Sequence, residues 1–417
     1  MNTKIDTTPT PKVKSSLTTN IAVSVGAIIA VLLVLELGLH LVIKPDTTRF
    51  SATTGWRGRA NEFKLLDTDG YDHPFQLNSL GMHDTEHPFA KPANTYRILM
   101  LGDSFTEARQ VTEPQTAHQI LEDQLNTSGQ GKQYSVISAG VPAWGTGQQL
   151  LYYRSEGRLF QPDLVLLMFY IGNDLNDNIP IHSVTFDDVA YYSPYFPLCK
   201  GRLDPQPWVY APGLKPTVGT CSPFQKVLAE NLHRLYLNSR IYMLLGPLFN
   251  RWQGNYFNKN LPNIHMYVPL DNETFRQQFP RENETIAYAW QVTFETIKLL
   301  QQEVEADGAE LAVVLIDSAD VIDLLALPPA EQEARAQEMP YLSMTQPDYP
   351  EMQFRRALAG HHIDLLNLQS ELIRYTNENQ QSLYFPHDKH WTVLGNQVVA
   401  GILHDWLQEK LEVKSGS

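Results

Sequence analysis

Residues 97–108 read RILMLGDSFTEA, and the change of pattern within them decides the fold. A run of apolar side chains gives way to Gly-Asp-Ser and then to residues suited to a helix. So short an apolar run, Tyr96–Leu101, matches a strand buried on both faces of a parallel sheet, where neither face alternates with water. The same switch recurs along the chain. Residues 134–139 (YSVISA), 163–170 (DLVLLMFY), 310–316 (ELAVVLI) and 363–366 (IDLL) read as further strands. Residues 117–125, 148–159, 285–306, 351–359 and 392–411 have helical spacing or composition. Strands alternating with helices predict an α/β chain built on a doubly wound parallel sheet.

The alternation pauses over residues 179–284, which are rich in Pro, Tyr and Asn and are expected to form an insertion or cap, with helix near 224–249. Ahead of the first strand, residues 44–94 are polar and turn-rich, which suggests a stalk followed by an irregular lead-in that packs on the domain. Residues 21–43 (IAVSVGAIIAVLLVLELGLHLVI) are apolar for long enough to cross ~30 Å of hydrocarbon at ~1.5 Å per residue. Lys44-Pro45-Asp46 offers no small-x-small cleavage site, so the segment reads as an uncleaved signal anchor. The expected organisation is therefore a tail at 1–20, a transmembrane helix at 21–43, a stalk and lead-in at 44–94 and the α/β domain at 95–417.

Lys4, Lys12 and Lys14 precede the span, and Lys44, Arg49, Arg57 and Arg59 follow it, so positive charge does not set its orientation. The short N-terminal tail favours a domain on the periplasmic or extracellular side. Glu36 and His40 share a helical face near the far end of the span. The expectation is that they reach the interface and are hydrated, a partner inside the membrane being the alternative. Cys199 and Cys221 are expected to form a disulfide, against two buried thiols, and the bridge would place the domain in an oxidising compartment.

Composition narrows the function. The 417 residues carry 32 Lys+Arg against 46 Asp+Glu, a net charge of −14 without a basic run, which excludes a phosphate-neutralising nucleic-acid binder. Two cysteines exclude a multi-Cys zinc or iron–sulfur site.

Reactive groups in doubly wound folds gather where strands end and helices begin. After the first strand, Gly102-Asp103-Ser104 presents a hydroxyl beside free helix-start N–H groups, though Ser104 or Asp103 would also serve as a plain helix cap. The second strand ends at Gly140, where a backbone can come close to a bound group. The third ends in Gly172-Asn173-Asp174, where Asn173 either aims its amide at the same point or closes an Asx-turn. Near the C-terminus, His387-Asp388-Lys389-His390 offers an imidazole with a nearby carboxylate. So short a loop seldom converges on a metal ion, and no metal or organic cofactor is expected.

Together the four segments resemble the SGNH/GDSL hydrolase superfamily, from about Asn78 to the end of the chain. The stretches RILMLGDSFTEA, AGVPAWGTGQQ and PDLVLLMFYIGNDLNDN look like a bacterial branch of that group. The resemblance implies a flavodoxin-like sheet, Ser104 as nucleophile and His390 as its base. It further implies an oxyanion hole of the Ser104 N–H, the Gly140 N–H and the Asn173 side chain. One position departs from the common pattern. Three residues before the base stands His387, and the carboxylate, Asp388, is two before. Asp-x-His resembles a subset that includes alginate-type O-acetyltransferases. The expected activity is a membrane-anchored serine esterase cleaving acyl esters, with O-acetyl groups of envelope carbohydrate or lipid as substrate. The alternatives are an O-acyltransferase acting on polysaccharide and a catalytically silent carbohydrate-binding or assembly protein. The oligomeric state is not read from the sequence.

Overall fold

The apolar runs do form the sheet. In the computed structural model they are β1 (Thr95–Gly102), β2 (Gln133–Gly140), β3 (Leu164–Tyr170), β4 (Glu310–Ile316) and β5 (Asp364–Asn367). The residues described are 17–44, 49–68, 70–128, 131–180, 183–186, 189–212, 214, 216, 219, 221–252, 266–338 and 344–415. The strand order is β2-β1-β3-β4-β5, and every pairing is parallel. This is the flavodoxin-like order, whose switch point between β1 and β3 opens a crevice at the carboxyl edge.

Helices that matter below are α1 (Leu17–Val42), α2 (Ser104–Glu107), α3 (Ala117–Ser128), α4 (Thr146–Ser155), α5 (Asp174–Asp177), α6 (Pro223–Asn238), α7 (Arg240–Trp252), α8 (Pro280–Ala306) and α9 (Val393–Ser415). Alternate strand residues serve opposite faces. Leu99, Leu101, Val165, Leu167, Val313 and Leu315 pack with Leu150 of α4 and Ile297 and Leu300 of α8. Ile98, Met100, Leu166, Met168 and Val314 pack with Leu121 of α3 and Val399 and Leu403 of α9. Both faces are therefore buried, and no polar residue is needed at every second position.

One expectation needs correction, and two gain detail. From residue 49 onward the lead-in packs on the domain. Trp56, Phe75, Leu77 and Met82 are buried, and Phe63–Thr68 pairs with Tyr71–Gln76 as an antiparallel hairpin. The Trp56 indole N–H donates to the Pro142 carbonyl and the Trp144 indole to that of Trp56, at 3.0 Å each. The helix expected near 224–249 forms as two helices, α6 and α7, separated at Ser239, whose hydroxyl accepts the Tyr242 N–H at 3.1 Å. Glu36 is not left to water. Its carboxylate accepts the backbone N–H groups of Arg240 at 2.6 Å and Ile241 at 3.1 Å. Elsewhere in the insertion, Tyr192, Tyr195, Trp208, Tyr210, Tyr236 and Met243 form a core of their own. Cys199 and Cys221 are disulfide-bonded there, with Cα atoms 5.2 Å apart.

Candidate active site

Ser104 is the first residue of α2, a helix of one turn set directly on the end of β1. Asp103 caps it, its carboxylate accepting the Phe105 N–H at 2.9 Å. So short a helix has nearly all its backbone groups unpaired internally, and neighbours supply partners. The Ser138 hydroxyl donates to the Thr106 carbonyl at 3.1 Å and the His83 Nδ1–H to that of Glu107 at 2.7 Å. Below it, Gly102 and Gly140 face each other across β1 and β2. A Cβ on Gly140 would stand 2.2 Å from the Glu107 nitrogen, so the close seat of α2 requires a glycine there.

His390 enters from the loop before α9. Its Nδ1 lies 2.5 Å from Asp388 Oδ1, and its Nε2 lies 2.8 Å from Ser104 Oγ. A carboxylate on Nδ1 fixes the proton there, leaving the Nε2 lone pair to accept from the serine hydroxyl. The two-residue spacing works because Lys389 lies between them with φ of +66°, folding the loop back on itself. The loop is closed by Phe385 N–H to His390 O at 2.8 Å and Lys389 N–H to Phe385 O at 2.9 Å. His387, the residue at the commoner spacing, is exposed. Phe105 holds the imidazole from the side, with ring centroids 4.6 Å apart, and it also packs on Tyr170 and Trp391.

Two groups that the sequence reading did not single out complete the carboxylate's shell. The Tyr71 hydroxyl donates to Asp388 Oδ2 at 3.2 Å, and the Gln110 amide to Oδ1 at 2.9 Å. No motif marks either one. Tyr71 arrives from the hairpin and rests its ring on Phe385, with centroids 5.4 Å apart.

The electrostatics suit a base. Burial alone would push His390 down, but its bond to Asp388, that carboxylate's charge and the Asp103 charge raise it above the ordinary imidazole value. Asp388 is pushed up by burial, yet His390, Tyr71 and Gln110 hold it below the usual carboxylate value. Asp103 is fully buried and raised by that burial, partly offset by the Phe105 N–H, by His390 and by the Asn173 side chain. Asn173 itself occupies the N-cap position of α5 without a side-chain cap bond, beside Asp103. Ser104, Gly140 and Asn173 thus stand at the ends of β1, β2 and β3, along one edge of the sheet.

A separate polar cluster lies behind the seat of α2. Asp84, Glu113 and His118 bring their ligand atoms within 4.8 Å of one another. Asp84 accepts the Ser138 N–H at 2.8 Å and the Thr85 N–H at 2.7 Å, and the His87 and His118 Nε2 atoms lie 3.2 and 3.3 Å from its Oδ1. Its main role is to tie the lead-in to β2.

The fold and site define an α/β chain of flavodoxin order with a serine, an imidazole and a carboxylate joined at the sheet's carboxyl edge. No protein-family model matches the chain, and no curated protein matches it. Among solved structures, it is similar to an acetyl xylan esterase, AlAXEase, at 12% identity over 74% of this chain and 97% of that one, with a TM-score of 0.34. A lipase/acylhydrolase from Enterococcus faecalis aligns at 10% identity over 76% of this chain and 96% of that one, with a TM-score of 0.35. A two-domain esterase active on acetylated mannans aligns at 10% identity over 76% of this chain and 49% of that one, with a TM-score of 0.37. At such distances the site geometry, not the likeness, has to carry the functional reading.

Proposed function

We propose that the chain is a membrane-anchored serine esterase of the SGNH/GDSL type. One observation carries this reading: Ser104 and His390, 286 residues apart in sequence, meet at 2.8 Å with Asp388 on the far nitrogen of the ring. In the first half-reaction His390 Nε2 takes the Ser104 proton as the oxygen attacks an ester carbonyl. The developing oxyanion is received by the N–H groups of Ser104 and Gly140 and the Asn173 amide. The carbon–alkoxy bond then breaks, and His390 returns the proton to the departing alcohol. Water repeats the sequence on the acyl-serine and releases the carboxylic acid. Asp388 holds the Nδ1–H tautomer and stabilises the imidazolium, while Tyr71 and Gln110 hold Asp388.

The substrate class is an acyl ester of small or carbohydrate alcohols, with O-acetyl groups of envelope carbohydrate or lipid as the working candidate. The apolar helix α1 is long enough to span a membrane, and the Cys199–Cys221 bridge favours an oxidising compartment, so the domain is assigned to the periplasmic or extracellular side. A fluorophosphonate probe should label the full-length protein in detergent and fail on Ser104→Ala. Asn173→Ala should stay folded and lose about 10²–10³ in turnover on p-nitrophenyl acetate. An unlabelled Ser104 would reduce the chain to a silent scaffold. Acetyl release assayed with and without oligosaccharide separates hydrolysis from transfer, since product appearing only on sugar would assign the acyltransferase.

A further inference from the structure

The contact between α1 and α7 gives Glu36 a task that an isolated anchor would not need. Glu36 Oε1 accepts the Arg240 N–H at 2.6 Å, and Oε2 accepts the Ile241 N–H at 3.1 Å and the Ser239 hydroxyl at 2.9 Å. With Ser239 Oγ accepting the Tyr242 N–H, the first three N–H donors of α7 are satisfied, two of them by a side chain of α1. The Arg240 guanidinium also donates to the Ile43 carbonyl at 3.2 Å. Glu36, Leu39 and Ile43 fall on one face at helical spacing and are the partly covered residues of this end of α1.

Position makes this contact informative. Glu36 lies six residues before Val42, so the start of α7 sits ~9 Å below the end of α1 at ~1.5 Å per residue. A carboxylate at that depth needs partners, and the α7 donors supply them. Beyond its capped start, α7 turns an apolar face outward. Leu244, Leu245 and Leu248 are 53%, 39% and 55% exposed and follow Ile241 at helical spacing. The adjoining α6 exposes Phe224 and Val227, 73% and 55%, near its own start, and its exposed positions closer to α7 include the polar Asn231, Arg234 and Asn238. An amphipathic helix lying in a membrane interface buries its apolar face ~5–10 Å into the headgroup and acyl boundary, the depth at which Glu36 holds α7.

We infer that α7 forms an interfacial element whose apolar face is occupied by lipid acyl chains of the leaflet nearest the α/β domain, with Glu36 as the clasp that sets its depth. The inference rests on α1 spanning the bilayer but is independent of the esterase chemistry. The domain would then be seated on the bilayer, not suspended from it.

The test uses the full-length protein in phosphatidylcholine/phosphatidylglycerol nanodiscs. The native cysteines are disulfide-bonded, so a nitroxide can be placed singly at Leu244→Cys, Leu248→Cys, Ile28→Cys in α1, and Glu378→Cys on the exposed helix Gln369–Asn379. Power saturation then compares collision with oxygen, which concentrates in lipid, and with a water-soluble nickel chelate. Leu244 and Leu248 should match Ile28, with oxygen dominant, and Glu378 should show the reverse. Adding Glu36→Leu should move the Leu248 label toward nickel while leaving ester hydrolysis in detergent intact. Nickel dominance at Leu244 and Leu248 with oxygen dominance at Ile28 would overturn the interface alone. Nickel dominance at Ile28 would overturn the span with it. Protection from both reagents would assign the face to a second copy of the chain, and an unmoved Leu248 label in Glu36→Leu would remove the clasp.

Discussion

Gly140→Ala puts the seat of the nucleophile under test while leaving every polar group in place. The added Cβ would lie 2.2 Å from the Glu107 nitrogen and 2.5 Å from the Thr106 carbonyl carbon. Both are backbone atoms of α2 and cannot rotate away. Ordinary contact begins at 3.4 Å, so the helix or the strand must give by about 1.2 Å. Gly140 is not among the residues with positive φ, so alanine adds no backbone strain and the effect is steric. Overpacking of this kind typically costs about 1–3 kcal/mol in stability. A shift near 1 Å at Ser104 removes the 2.8 Å contact with His390, and a misplacement of that size costs about 10² in rate. The assay is kcat/KM on p-nitrophenyl acetate for the purified full-length protein, with the labelling rate by fluorophosphonate and the melting temperature alongside. Because alanine retains the position-140 N–H, an oxyanion contribution alone predicts no loss. Wild-type kcat/KM and Tm in Gly140→Ala would refute the steric argument.

Further outcomes follow from the charges and hydrogen bonds of the site. The raised His390 places the acid limb of the kcat/KM profile at higher pH than an ordinary imidazole would, because only neutral imidazole can take the serine proton. Asp388→Asn should move that limb to lower pH and reduce the plateau by about 10²–10⁴, read from a pH series. Tyr71→Phe keeps the ring against Phe385 but removes the donor to Asp388; a loss of about 3–30-fold in kcat is expected, with little change in KM. Stability has its own acid limb. Burial depresses His83 to about 4, so the unfolded chain binds its proton first and stability falls as pH drops from about 6.5 toward 4, by up to ~3 kcal/mol from this residue. Urea midpoints at pH 7 and pH 5 should differ by less in His83→Gln, which still has a donor for the Glu107 carbonyl.

Most of the α/β body was legible because its elements obey local rules. The strand at 310–316 was read with both its ends, and β1, β2 and β3 within two residues, since continuous apolar runs have few other uses in a chain of this charge. The helices Ala319–Leu325, Pro329–Glu338 and Gln369–Asn379 were not read, being short or carrying too few apolar residues to show a period. The hairpin of Phe63–Thr68 with Tyr71–Gln76 escaped for a related reason: most of its side chains face solvent, so hydrophobic alternation is weak. The break at Ser239 has a local signal, a serine that can cap, but the neighbouring apolar spacing runs on across it.

The sequence by itself determined the parallel sheet, the apolar helix at its start and the residue types at each strand end, because periodicity and turn chemistry act over a few neighbouring residues. Tertiary structure alone decided which of those residues meet. Ser104 finds His390 because β1 and the loop before α9 finish at the same edge of the sheet, a consequence of strand order that no short window contains. Tyr71 and Gln110 reach Asp388, and Glu36 reaches α7, through contacts between segments hundreds of residues apart. Side chains joined only by such packing leave no periodic trace in the chain, so their partners become visible only once it is folded.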